Sequence, residues 1–116
     1  MEIINHNNCK SLYSTQSYQH NQIIYKLSGP IVTNPTRTSI EIGPNQHIEN
    51  KYGQCMNHSF HPTCKIENGC IVACQDIETN TELTFNYNET ETNMSHPFVD
   101  NETNKMVSGK KKYKYF

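Results

Sequence analysis

Apolar positions along this chain fall in short runs separated by polar, turn-forming residues, a spacing that predicts strands rather than amphipathic helices. Leu12-Tyr13 reads as a short strand that leads into a polar turn from Ser14 to Gln22. Ile23-Ile24-Tyr25-Lys26-Leu27 is β-branched and aromatic, as strands are, and stops at Ser28-Gly29-Pro30. Ile31-Val32 precede Asn34-Pro35, where the proline interrupts pairing, and Ser39-Ile40-Glu41-Ile42 alternates before Gly43-Pro44-Asn45. The stretch from Asn50 to Met56 fits a helical turn and a strand equally. Cys64-Lys65-Ile66-Glu67 and Ile71-Val72-Ala73-Cys74 flank Asn68-Gly69, and both turn residues accept positive φ, so this is the clearest hairpin in the chain. After a polar connection over 76–81, Glu82-Leu83-Thr84-Phe85-Asn86-Tyr87 alternates like a half-buried strand, with Leu83, Phe85 and Tyr87 on one face.

Length and composition narrow this picture. At 116 residues the chain is long enough for one core, and 34% hydrophobic residues with abundant Asn and Thr predict a mainly β, turn-rich fold. The net charge of -1 supplies no global field toward nucleic acid or an anionic membrane, so a partner is recognised locally. No apolar run approaches the ~20 residues of a membrane span, and Met1 to Asn8 lacks both the basic start and the apolar core of an export signal. Five cysteines, Cys9, Cys55, Cys64, Cys70 and Cys74, are odd in number and irregular in spacing, which fits free thiols. The expectation is an intracellular monomer, cytoplasmic or nuclear, not secreted and not membrane-bound.

The densest chemistry lies in Asn57-His58-Ser59-Phe60-His61-Pro62-Thr63-Cys64. His58, His61 and Cys64 offer two nitrogens and a thiolate to zinc, but no second pair completes a tetrahedral set. Cys64 with either histidine also has the makings of a thiol nucleophile and its base, though no local signature of such enzymes surrounds it.

The order of motifs is more telling. Asn-His-Ser-x-x-Pro, a hairpin, Asp76-Ile77, and then Glu-Leu-Thr-Phe-Asn-Tyr resembles the second half of the SET domain, the fold of S-adenosylmethionine-dependent protein-lysine methyltransferases. Leu12-Tyr13-Ser14-Thr15 and the segment 23–31 are similar to that family's opening, so the resemblance covers residues 8–98, with 99–116 left as a tail. It implies a compact fold of several small sheets in which the Asn57 and Tyr87 segments pass through each other like a pseudoknot. It further implies S-adenosylmethionine as cosubstrate and, as partner, a protein substrate with an exposed lysine, a histone or another protein. Under the resemblance Tyr87 is the catalytic tyrosine of the lysine channel and Phe85 sets the channel width. Cys9, Lys10, Ser11, Leu12, Asn57 and His58 hold the cofactor, and Phe98 covers its adenine. Methyl transfer is an in-line displacement, so positioning and fixed dipoles carry most of the catalysis.

The chain departs from the family pattern at three places, one of them Gln54-Cys55-Met56, which stands where an aromatic or Arg often precedes the Asn-His-Ser triplet. The usual Gly-x-Gly is Cys9-Lys10-Ser11, and no cysteine follows Phe98, so no metal is implied and the tail, a possible lid over the channel, is not zinc-binding. Val107, Tyr113 and Tyr115 are the residues on which the tail would dock. The lost glycines give the alternative function, a catalytically silent SET-like protein-interaction module.

Overall fold

A computed structural model describes residues 1–110, and over these the chain is mainly β, built from several small sheets around one core. The first element pairs with the segment expected at Leu12: β1 (Glu2–His6) and β2 (Cys9–Tyr13) form an antiparallel hairpin. Its turn is Asn7-Asn8, both in the left-handed region with φ of 50° and 67°. The chain uses asparagine repeatedly in this way, also at 21, 45, 68, 80 and 104, because a short polar side chain tolerates positive φ better than other non-glycine residues do.

Two three-stranded antiparallel sheets follow. One has β4 (Ile31–Val32) and β5 (Ile40–Gly43) on either side of β6 (Gln46–Ile48). In the other, β3 (Ile23–Lys26) and β8 (Cys64–Glu67) flank β9 (Cys70–Ala73), with the expected Asn68-Gly69 turn at φ of 51° and 74°. The stretch that sequence left open, 50–56, resolves into a 3-10 turn over Gly53–Cys55. Asn50 dictates it. Its Oδ1 accepts the backbone N–H groups of Tyr52 and Gly53, both at 3.0 Å, while its Nδ2 donates to Ser28 O at 2.7 Å. Gly29, with φ +142°, lies so close to the Glu49 carbonyl that a side chain would collide with it.

The last element pair joins distant parts of the chain. β7 (Asn57–His58) runs parallel to β10 (Thr84–Phe85), with Asn57 opposite Thr84 and His58 opposite Phe85. Just beyond, Thr63 and Thr84 exchange hydrogen bonds: each backbone N–H donates to the other's Oγ1, at 3.2 and 3.1 Å. The amino-terminal segment is laced to the same region, Leu83 N–H donating to Leu12 O at 2.7 Å and Ser14 N–H to Thr81 O at 2.9 Å. Leu12, Leu83, Met56, Ile71 and Phe85 meet in the core, so burial of their apolar surface fixes these segments against each other.

One expectation needs correction. The strand drawn from Glu82 to Tyr87 forms a ladder over Thr84–Phe85 and an isolated bridge from Glu82 to Tyr13, but it stops short of Tyr87, which opens a single helical turn, α1 (Tyr87–Thr90). Asn86 is the cause: its side chain accepts the N–H of Asn88 at 2.9 Å, the geometry of a helix N-cap, with Glu89 in the first turn. After α1, β11 (Phe98–Val99) and β12 (Met106–Val107) form a small hairpin held to the helix by Asn88, whose Oδ1 accepts from Ser108 N–H and Gly109 N–H. Val107 is fully buried, whereas Tyr113 and Tyr115 lie outside the described residues. Among the described residues no helix is long and apolar enough to cross a membrane.

Candidate functional site

The parallel β7–β10 pairing decides where the two motifs meet. Tyr87 lies two residues past Phe85, its ring 4.7 Å from that of Phe85 and 5.2 Å from the His58 imidazole. The Tyr87 hydroxyl donates to Met56 O at 2.6 Å, and the Tyr87 backbone N–H donates to His58 Nδ1 at 3.1 Å. Tyr87 is thereby fixed at both ends. Burial, reinforced by the charges of Glu91 and Glu82, pushes its phenol well above the ordinary range, so it stays protonated and acts as a fixed dipole rather than as a base.

His58 is neutral for a related reason. Burial lowers its pKa, against the opposing field of Asp100, and an imidazole that accepts at Nδ1 carries its proton on Nε2. That Nε2 is buried with no hydrogen-bond partner. Its ring is enclosed by edge contacts with Phe60 at 4.4 Å and Phe98 at 6.0 Å, as well as with Tyr87. A neutral imidazole within three aromatic rings is a rigid wall.

Asn57 points its amide toward the first hairpin. Its Nδ2 donates to Ser11 Oγ at 3.0 Å and to Glu82 Oε2 at 2.8 Å, with Lys10 O at 3.5 Å. Strand β2 is regular here, with no positive φ between Cys9 and Tyr13; the left-handed residues are Asn7 and Asn8 just before it. The strand therefore needs no glycine conformation at Cys9 or Ser11.

These elements border a cavity of about 810 Å³, within the size range of small-molecule sites. Of the residues singled out in the sequence, Cys9, Asn57, His58, Phe85, Tyr87 and Phe98 line it together. Lys10 and Ser11 stand behind Asn57 as acceptors of its amide, and Leu12 is wholly inside the core with its carbonyl bonded to Leu83. A second hollow of about 630 Å³, bordered by Glu41, His47, Glu89 and Lys110, contains none of the residues singled out for a site.

The alternative chemistries of the Asn57 segment fare differently. Cys64 is buried in the core, its thiol pushed up to about 11 by burial, so it is a poor nucleophile at neutral pH. Among the described residues no group of three His, Cys, Asp or Glu side chains is placed to hold a metal ion, and His61 is exposed while Cys64 is enclosed.

Sequence reasoning missed Arg37, Glu91, Met94 and His96, all of which border the cavity. Each sits in a polar stretch that reads as surface, and nothing in the local pattern marks it for a site. No protein-family model matches the chain, and no curated protein matches it.

Proposed function

We propose that this chain is a protein-lysine methyltransferase with a minimal SET-like fold, transferring the methyl group of S-adenosylmethionine to a lysine side chain. The observation that carries the reading is the convergence of Asn57-His58 and Phe85-x-Tyr87 on one cavity, with the Tyr87 hydroxyl locked to Met56 O at 2.6 Å. Motifs 29 residues apart (His58 to Tyr87) are brought side by side by a parallel two-residue ladder. The several small sheets and the parallel ladder across the β8–β9 hairpin are compatible with that fold, whose knot-like threading is part of the proposal.

S-adenosylmethionine supplies a methyl group on a sulfonium, already activated for displacement. Tyr87 and Phe85 then orient the lysine nitrogen, which reacts as the free amine after losing a proton to solvent. Its lone pair forms the N–CH3 bond as the S–CH3 bond breaks and S-adenosylhomocysteine leaves, and the hydroxyl and the nearby backbone carbonyl present negative dipole ends that favour a cationic methyl donor. His58 and Phe98 give the cavity part of its aromatic wall. The test is transfer of labelled methyl from S-adenosylmethionine to lysine in histones or total protein. Wild type labels lysine and Tyr87→Phe does not; labelling that persists in Tyr87→Phe removes the tyrosine from its assigned role.

One observation favours a second reading, a silent interaction module: the Asn57 amide is already engaged by Ser11 and Glu82 within the protein. Calorimetry separates the two. Heat of binding with millimolar S-adenosylmethionine supports the enzyme, and its absence supports the module.

A further inference from the structure

Glu91 belongs to none of the motifs above, yet it borders the same cavity as Tyr87, Met56 and His58. It closes α1 and is only 5% exposed. Its Oε2 accepts the backbone N–H of Glu41 at 2.9 Å, and its Oε1 has no hydrogen-bond partner among the described residues. It also has no counter-ion, since the one ion pair among the described residues, Lys65 with Glu67, lies elsewhere.

The groups around Glu91 explain why this carboxyl is unusual. From β5, the Glu41 carboxylate approaches, its own oxygens occupied by Thr92 N–H and Thr92 Oγ1, both at 2.7 Å. Lys110 donates its backbone N–H to Glu91 O at 2.8 Å, and its charge offsets only part of the effect. Tyr87 contributes an uncharged phenol from α1, and Arg37 and His96 border the cavity. Burial, with the neighbouring Glu41 charge adding to it, raises the Glu91 carboxyl to about 7. An acid this buried is half ionised at neutral pH and lacks the cation that ordinarily accompanies a buried carboxylate.

We propose that Glu91 is the ammonium-recognising group of this cavity, its free oxygen receiving a primary ammonium from either the α-amino end of S-adenosylmethionine or the head of the target lysine. This rests on the methyltransferase reading, which supplies both ammonium sources. A primary ammonium brings the missing positive charge and three N–H donors to a carboxyl that is largely removed from solvent, where a charge-assisted bond is stronger than at an exposed site. The Glu41 N–H fixes the other carboxylate oxygen, so the free one is held in place before the ligand arrives.

The test compares wild type with Glu91→Gln at pH 7.5, using three probes: S-adenosylhomocysteine, 5′-methylthioadenosine, and n-butylammonium as the head of a lysine. Glutamine keeps the size of the side chain and can still accept from Glu41 N–H, and 5′-methylthioadenosine, which has the nucleoside and sulfur but no ammonium, reports whether the cavity is intact. The expected result is at least a tenfold weakening of an ammonium-bearing probe with 5′-methylthioadenosine unchanged within twofold. A loss seen with S-adenosylhomocysteine assigns Glu91 to the cofactor, and one seen with n-butylammonium assigns it to the lysine. Unchanged binding of both ammonium probes, or an equal weakening of 5′-methylthioadenosine, overturns the role of Glu91 and leaves the methyltransferase reading standing. If wild type binds none of the three, both fall.

Discussion

Replacing Glu91 with glutamine is expected to stabilise the protein at alkaline pH and to leave it unchanged in acid. The folded-state carboxyl titrates at about 7, whereas an unfolded glutamic acid titrates at ~4.3. Because the folded value is the higher one, folding favours the protonated form. Its stability is fully present below the unfolded pKa, declines as pH rises from ~4.3 through 7, and levels off once the folded carboxyl has also ionised. A gap of ~2.7 units at ~1.4 kcal/mol each amounts to about 3.5 kcal/mol by pH 8, and Glu91 is buried enough for little of this to be screened. Glutamine stays neutral throughout and can keep the bond from Glu41 N–H. Urea denaturation of both proteins at pH 4, 6 and 8, followed by circular dichroism, therefore shows equal stability at pH 4 and a Glu91→Gln advantage of about 3.5 kcal/mol at pH 8, on the order of 10–15 °C in Tm. Other titrating groups are common to both proteins and cancel in the difference. Equal stability at pH 8, or a wild type that gains on the variant as pH rises, would refute the buried, uncompensated carboxylate. A stabilising change at a residue assigned to ligand recognition is the trade expected when a site holds charge in readiness.

Further outcomes follow from other contacts. Tyr87→Phe leaves Met56 O without its 2.6 Å donor and should lower stability by about 1–3 kcal/mol in the same denaturation assay, while the fold persists. Gly29→Ala places a methyl against the Glu49 carbonyl at φ +142° and should cost about 3 kcal/mol or prevent accumulation of folded protein; near-neutral stability would show that the turn can rearrange. Nitrogen chemical shifts of His58 should show the Nε2–H tautomer at pH 7, with Nδ1 unprotonated as the acceptor of Tyr87 N–H. Since burial depresses its pKa, the stability it contributes should be present above ~6.5 and be lost as pH falls further; a His58 that protonates at or above ~6.5 in the folded state contradicts this.

The sequence made some of this legible because local chemistry and tertiary structure agreed there. Asn68-Gly69 forms its hairpin because both residues take positive φ, and Gly29 sits where only glycine fits. The β1 strand was invisible because Glu2–His6 carries just two apolar residues; its signal was the Asn7-Asn8 turn, lost among many asparagines. The helical turn at Tyr87 escaped since the alternation from Glu82 outweighed a single capping residue, Asn86. For the cavity, six of the residues singled out by motif are together on its wall, whereas Glu91 and Arg37 reach it by long-range packing that no local pattern encodes. The 50–56 segment was undecidable for the same reason: Asn50 organises it through Ser28, 22 residues earlier.

The lacing of the amino-terminal segment to residues 77–83 has a kinetic consequence. Leu12 and Ser14 find their partners only after about seventy further residues have been synthesised, and the β7–β10 ladder closes an overlapping loop that ends just beyond that span. Contacts so distant along the chain make folding slow and give no reward until both ends arrive. The cavity, with Cys9 from one end and Phe98 from the other, is therefore among the last features to assemble, and its appearance during refolding should coincide with completion of the native state.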